Sequence, residues 1–382
     1  MRIAFFTDTF LPQINGVAKT LSKFVDYMER NHIEYKIFAP SFKEQEFYSN
    51  VIRAKSFKFV LYPQCRLSLP NYFAISKQLD EFNPDIVHVV TEFNMGLCGL
   101  KYARSRNLPL VSSYETNISQ YLEYYNLKFL ESPSWKYFKW FHNKCDINFC
   151  PSIATVDLLK EQGFGNPKLW ERGIETDKFS PELKDPSFKK SINAEGKLVF
   201  LYVGRVSPEK DLEIFVNVAK RLNEKYYDKI HFVMIGDGPS LKDLKDMAPD
   251  NITFTGFLTG DALTKAYASS DVFLFPSPTE TLGFVILEAM SSGLAIISCN
   301  AGGVSDNLID GYNGIACREK QEDDYYNAAE KIINDESLRK NLANNARAFA
   351  LTKDWDRTFD GLVKDYESLL LEKPTMDKEQ CS

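Results

Sequence analysis

A chain of 382 residues with 44% hydrophobic and 14% aromatic content is globular and long for one core, so two domains are expected. The formal charge of −6 hides an asymmetry: the first 175 residues are slightly basic and the remainder strongly acidic. That argues against a nucleic-acid binder and leaves only the first part suited to an anionic surface. The seven cysteines form no C-x-x-C pair and lie near no histidine cluster, which reads as reduced thiols of a cytosolic protein with no structural zinc. Arg2-Ile-Ala-Phe-Phe-Thr7 reads as a strand, with no sign of a signal peptide, and no apolar run approaches the ~20 residues that span a bilayer.

In chain order, that strand leads through Asp8 to Asn15-Gly16-Val17 and a helix expected from about Val17 to Met28. Strand, glycine turn and helix form the first unit of a doubly wound α/β sheet, whose ligands lie beyond the carboxyl ends of the strands. The G-x-G-x-x-G fingerprint of a dinucleotide site is absent. Gly16 is either a plain turn glycine or a place where backbone comes close to a ligand. Further strands are expected at Tyr35–Phe38, Ile86–Val90 and Leu110–Ser113, with helices at Tyr72–Phe82 and Gly96–Arg106 between them, which implies a parallel sheet. His88 lies near one strand end, with Glu92 beyond it, and Glu115 follows the next strand. Such a strand-terminal histidine is more often a packed, hydrogen-bonded core residue than a cleft residue. Residues 133–149 interleave Trp135, Tyr137, Phe138, Trp140 and Phe141 with Lys136, Lys139 and Lys144. An interfacial membrane helix is one reading; a core helix with a solvated lysine face is favoured. Lys55-Ser-Phe-Lys58-Phe59 is a weaker candidate for surface contact.

Composition turns polar around Pro181–Glu195, which reads as a linker. A second α/β domain then starts at strand Leu198–Val203, followed by Gly204-Arg205 and Lys210-Asp211. It continues with His231–Ile235, Gly236-Asp-Gly-Pro239, Ile252–Phe254 and a helix over Ala262–Ala268. Next come the buried strand Val272-Phe-Leu-Phe275, the loop Ser277-Pro-Thr-Glu280-Thr-Leu, a helix opened by Gly283 and closed by Gly293, and strand Ala295–Ser298. The expected domains are 1–180 and 181–354, with a helix over 355–372 packing back on the first and a polar tail, 373–382, expected to be disordered.

The stretch around Gly283 carries the chemistry. A strand, a loop and a glycine-led helix gather backbone N–H groups and a positive helix end at one spot, which suits a phosphate. Glu280 lies before that helix and Glu288 within it, among Phe284, Val285, Ile286, Leu287, Ala289 and Met290. A carboxylate there needs a hydrogen-bonding partner. A ribose would supply one, as would a capping or salt-bridging role within the protein, and spacing leaves both open. Arg205 and Lys210 follow a strand end on the same expected edge. Together they make a diphosphate site, Arg for bidentate contact and Lys as a point charge; singly, each reads as an ordinary surface charge.

Glu280-x7-Glu288, Gly204-Arg205 with Lys210, and Phe10-Leu-Pro-Gln-Ile-Asn-Gly-Val17 together resemble the retaining glycosyltransferases of family GT4 over essentially the whole chain. The segment Leu169-Trp-Glu-Arg172-Gly173 to Pro181 is similar to the domain junction of a branch that includes sulfoquinovosyl-diacylglycerol synthases and GDP-mannose-dependent mannosyltransferases. The resemblance implies the GT-B fold, two Rossmann-like doubly wound domains facing a central cleft. It implies that Arg205 and Lys210 neutralise a donor diphosphate in place of a metal, and that Glu280 holds the sugar hydroxyls. Thr281, Leu282, Gly283 and Phe284 would line the donor, Glu288 would bind the ribose, and Asn15, Gly16 and Gly204 would lie near the phosphates. Many relatives carry a histidine where this chain has Glu115, a carboxylate that could orient an acceptor hydroxyl or act as a base.

The expected activity is retaining transfer of a hexose from a UDP- or GDP-linked sugar to a hydroxyl of a membrane lipid or glycolipid, with Arg205, Lys210, Glu280 and Glu115 as the catalytic candidates. No metal and no cofactor are expected. The alternatives are the same chemistry on a soluble, polysaccharide or protein-linked acceptor, a sugar-nucleotide epimerase, a phosphorylase-like enzyme with a pyridoxal-bearing lysine, and a non-catalytic nucleotide-sugar binder. The expected location is cytoplasmic, with peripheral membrane contact through the first domain on the inner face.

Overall fold

The computed structural model describes residues 1–13, 15–42, 48–59, 62–117, 119, 122, 124 and 127–373. The tail beyond Lys373 lies outside the described residues, as do the side chains of Lys58 and Phe59. The chain forms two compact units. The first is built from Met1–Asn117, Leu130–Arg172 and the segment from Trp355, and the second chiefly from Gly173–Asp354.

The first unit holds a seven-stranded parallel sheet in the order β3-β2-β1-β6-β7-β8-β9. Its strands are β1 (Arg2–Phe6), β2 (Glu34–Pro40), β3 (Val51–Ala54), β6 (Ile86–Val89), β7 (Leu110–Ser113), β8 (Ile147–Cys150) and β9 (Pro167–Leu169). Ser56–Phe59 (β4) and Tyr62–Ser68 (β5) pair as a separate antiparallel ribbon. Strands β1, β6 and β7 are buried almost end to end, the apolar run expected of a parallel sheet covered on both faces.

The helix Gly16–Arg30 turns Ala18, Leu21, Phe24, Val25 and Met28 to the core at helical spacing. Against it lies the helix Trp355–Glu372, with Phe359 stacked on Phe24 at 4.9 Å and Arg30 paired with Asp356 at 2.6 Å. The stacked rings carry most of this contact, because an exposed ion pair contributes about 0–1 kcal/mol. Further along the same helix, buried Tyr366 meets His88 through a 2.6 Å hydrogen bond, and the other ring nitrogen of His88 meets Ser113 at 2.8 Å. His88 is therefore a packed core residue.

The aromatic, lysine-rich run at 133–149 is not one element. The helix spans Glu131–His142, and the chain turns to enter β8 at Ile147. Phe138, Phe141 and His142 are buried, while Lys136, Lys139 and Trp140 face solvent.

The second unit holds a six-stranded parallel sheet, β12-β11-β10-β13-β14-β15. These strands are β10 (Leu198–Val203), β11 (Ile230–Ile235), β12 (Ile252–Gly256), β13 (Val272–Phe275), β14 (Ala295–Cys299) and β15 (Ile315–Cys317). Renumbered within the unit, this is the 3-2-1-4-5-6 order of a doubly wound dinucleotide-type sheet. Its chain order reverses between β10 and β13, which pair through Phe200 with Val272 and Leu201 with Phe273. A crevice is expected beyond that point. The polar stretch Pro181–Glu195 contains the helix Pro186–Ser191 and is tied to this unit by Lys189–Asp271 at 2.6 Å and Lys265–Asp185 at 3.1 Å.

Burial drives His88 down from its ordinary 6.5 to about 3, with the nearby positive charge of Arg172 adding to the effect. Between those values the unfolded chain binds a proton that the folded chain refuses, so acid favours unfolding. We expect the urea midpoint to fall as pH drops from 6.5 towards 3. A His88→Gln variant should lose about one proton's worth of that slope, roughly 1.4 kcal/mol per pH unit. Parallel slopes for the two proteins would show that His88 is charged in the folded state.

Candidate functional site

At the reversal point of the second sheet, the loops after β10 and β13 meet. The first begins at Gly204, where the Tyr202 hydroxyl lies only 2.7 Å from the place a Cβ would occupy and donates to the Arg205 carbonyl at 2.8 Å. Arg205 turns back to form an ion pair with Glu209, and its Nε donates to Ser207 Oγ at 3.3 Å. Glu209 is wholly buried and also accepts from Ser207 Oγ at 2.7 Å. Burial alone would raise its carboxyl, but Arg205, Ser207 and Lys210 together hold it below the usual carboxylate range. Glu209 is thus a fixed anion that aims a guanidinium.

Lys210 Nζ reaches across to Glu280 Oε1 at 2.6 Å, and Ser277 Oγ donates to the same oxygen at 3.0 Å. Thr279 Oγ1 bonds the Glu209 carbonyl at 3.0 Å, which ties the two loops together. The structure therefore brings Gly204, Arg205, Lys210 and Glu280 into one cluster.

The helix Phe284–Ser291 follows directly. Its N-cap is Gly283 at φ +79°, a left-handed conformation that a side chain would strain. Behind it, Gly303 donates its N–H to the Glu280 carbonyl at 2.7 Å, and a Cβ at Gly303 would sit 2.0 Å from the Thr281 carbonyl. Thr281, Leu282, Gly283 and Phe284 thus lie at a helix N-terminus, where the first backbone N–H groups point along the axis out of the helix. Such a terminus carries partial positive charge and suits an anion.

One turn further on, Glu288 is 7% exposed. Tyr267 explains how the apolar helix tolerates it: the phenol donates to Glu288 Oε2 at 3.0 Å. Burial, with the Glu288 charge adding to it, pushes the Tyr267 phenol well above its ordinary value, so it stays a donor.

The remaining candidates belong to the first unit. Asn15 caps the helix Gly16–Arg30, its side chain accepting from the Ala18 N–H at 2.9 Å and donating to Thr9 Oγ1 at 2.7 Å. Gly16 is the first residue of that helix and is exposed, in place of a turn glycine outside it. Glu115 follows β7 and forms an ion pair with buried Arg172 at 2.6 Å. Glu92 lies inside the unit, with His142 Nε2 3.1 Å from its Oε1. Among the described residues, no group of three or more His, Cys, Asp or Glu side chains could hold a metal ion, and no helix is long and apolar enough to cross a membrane.

Sequence reasoning missed Ser207, Glu209, Ser277 and Tyr267. The i,i+4 spacing of Arg205 and Glu209 was an available signal for one of them. Nothing local marks Tyr267, which meets Glu288 from a different helix.

Residues 14–178 match the family model described as Glycosyltransferase Family 4, and residues 184–349 match Glycosyl transferases group 1. The chain is 29% identical over 378 residues to a GDP-mannose-dependent alpha-mannosyltransferase of Corynebacterium glutamicum, covering 97% of this chain and 89% of that one. It is 31% identical to a sulfoquinovosyl transferase of Arabidopsis thaliana (93% and 71% covered), and 32% identical to an alpha-monoglucosyldiacylglycerol synthase of Streptococcus pneumoniae (78% and 71%). Among solved structures, sucrose-phosphate synthase from Thermosynechococcus elongatus superposes with a TM-score of 0.81 at 16% identity, over 97% of this chain and 100% of that one. The Anabaena protein HepE, solved with UDP and glucose, gives 0.73 at 18% identity, over 96% and 99%. These matches and the two doubly wound sheets establish that the chain belongs to glycosyltransferase family 4 and has the GT-B fold class.

Proposed function

We propose that this glycosyltransferase moves a hexose from a nucleoside-diphosphate sugar to a hydroxyl of a membrane lipid, with retention at the anomeric carbon. The observation that carries the donor half is the cluster of Arg205, Lys210 and Glu280 beside the helix tip at Gly283. In this reading the diphosphate lies against that tip. Arg205 approaches it with an orientation fixed by Glu209, and Lys210 is drawn from Glu280 towards the phosphates. Glu280 then takes the hydroxyls of the sugar. Glu288, already held by Tyr267, is suited to accept from the vicinal hydroxyls of a ribose.

Retention usually calls for a carboxylate nucleophile beneath the anomeric carbon. Glu280 is ill suited to that task, because one of its oxygens already accepts from both Lys210 and Ser277. A same-face displacement fits better. The bond from the anomeric carbon to the phosphate oxygen breaks, and its electrons pass to the leaving phosphate. The acceptor oxygen bonds to the carbon from the same face, and its proton passes to a phosphate oxygen. Arg205, Lys210 and the helix tip stabilise the charge that grows on that phosphate.

The lipid acceptor is supported by the diacylglycerol-glycosylating relative of Streptococcus pneumoniae. Exposed apolar residues on the first unit also support it: Phe57, Leu69 and Phe73 are 50%, 59% and 85% exposed, and Lys55 and Lys77 are exposed nearby in sequence. Apolar and cationic side chains together suit a peripheral contact with an anionic bilayer, where salt screens the ionic part.

We expect Lys210→Ala to lower kcat at least ~10²-fold, the loss typical of one charge-stabilising donor. The donor melting-temperature shift tells whether that variant still binds nucleotide sugar. A near-normal kcat would contradict the mechanism. Because cations of the protein meet the diphosphate charge, EDTA should leave the rate unchanged. Binding to anionic liposomes should weaken as salt rises from low to physiological strength; no binding at low salt would point to a soluble acceptor.

A further inference from the structure

Arg172 is among the largest fully buried side chains, and its charge is costly to place there. Its guanidinium lies 3.8 Å over the Trp170 ring, one nitrogen donates to the Trp170 carbonyl, and the other meets Glu115 at 2.6 Å. Among the described residues its Nε finds no hydrogen-bond partner. A buried arginine left incompletely satisfied is hard to explain as a stabilising device alone, since an apolar side chain of similar size would do as well or better. Among the described residues its ion-pair partner is the carboxylate at the end of β7, and that carboxylate is the more accessible member, with a side chain 10% exposed against 0%.

Glu115 also lines a cavity of about 10 Å³, room for roughly one water, between the helix residues Val17, Thr20 and Leu21 and the ends of β1 and β6 at Phe5, His88 and Val90, with Trp170. Glu115 itself stands just beyond the carboxyl end of β7, on the edge where a doubly wound sheet takes its ligands. Apart from Glu115 and the neutral ring of His88, already bonded to Tyr366 and Ser113, the pocket is largely apolar. A carboxylate pinned there by a rigid, planar cation makes a fixed hydrogen-bond acceptor.

We infer that Arg172 is a positioning residue, which aims the Glu115 carboxylate so that it accepts a hydrogen bond from the attacking hydroxyl of the acceptor. This rests on the glycosyl-transfer reading. Glu115 orients the nucleophilic oxygen, and the proton leaves with the phosphate as described above. Arg172 acts only through Glu115, and neither touches the donor.

The test compares wild type with Glu115→Gln, with Arg172→Lys and with the double variant Glu115→Gln/Arg172→Met. The double variant removes both charges and keeps a flexible side chain beside Trp170, so it stays foldable where single changes strand a buried charge. With UDP-glucose and GDP-mannose as donors and dioleoylglycerol in mixed micelles as acceptor, three quantities are read: donor-induced melting shift, donor hydrolysis without acceptor, and acceptor KM. We expect the double variant to keep the donor shift while acceptor KM rises at least ~10-fold, the loss of one hydrogen bond to a charged group. Arg172→Lys, which keeps the charge but not the fork, should recover part of the acceptor KM. A folded double variant with wild-type acceptor KM overturns the inference and leaves the pair purely structural. A wild-type chain that turns over neither donor, with or without acceptor, removes the reading of hexose transfer to a membrane lipid and this inference with it.

Discussion

Everything proposed for the second unit depends on charge compensation at one point in its sheet. Two cations stand where the loops after β10 and β13 meet, and each is held by a carboxylate, Arg205 by Glu209 and Lys210 by Glu280. The two pairs differ in kind. Glu209 is wholly buried, fastened by Ser207 and kept ionised, so it remains Arg205's partner whatever binds. Glu280 is shared by Lys210 and Ser277 and is the less enclosed of the two, so it can be exchanged for an incoming phosphate. Preorganised cations that need little rearrangement are the economical way to stabilise a leaving group.

The backbone enforces this arrangement as much as the side chains. Gly283 takes a left-handed conformation to begin its helix, and Gly303 lies so close to the Thr281 carbonyl that no side chain fits. Together they fix the Glu280–Leu282 loop against the helix tip. Thr279 then fastens that loop to the one carrying Arg205 and Lys210. A site that gathers residues 70 positions apart is held by short local constraints, each legible on its own.

The legible parts of the sequence are those whose signal is local. Val272–Phe275 and Leu198–Val203 are apolar runs ended by Pro276 and Gly204, and the strands stop where those residues begin. The same holds for Gly283 at a helix start and for Asn15, whose side chain caps the next helix. Composition fails where two elements share it: the aromatic and lysine-rich run of 133–149 contains a helix, a turn and strand β8. The antiparallel ribbon of β4 and β5 escapes because Tyr62-Pro-Gln-Cys-Arg-Leu-Ser68 carries a proline, which weakens a run as a strand signal. Partners escape because they come from distant elements. Glu288 announces that it needs a hydrogen bond, but only the fold supplies Tyr267, 21 residues away, and only the fold sets Arg172 against Glu115, 57 residues away.

The most direct measurement is a crystal structure of the protein with UDP or GDP bound. The account predicts phosphate oxygens within hydrogen-bond distance of Arg205, of Lys210 and of the backbone N–H groups at the start of the Phe284–Ser291 helix. Arg205 should still be paired with Glu209, and Lys210 should have turned away from Glu280. Phosphates bound elsewhere, with the Lys210–Glu280 pair intact, would contradict it.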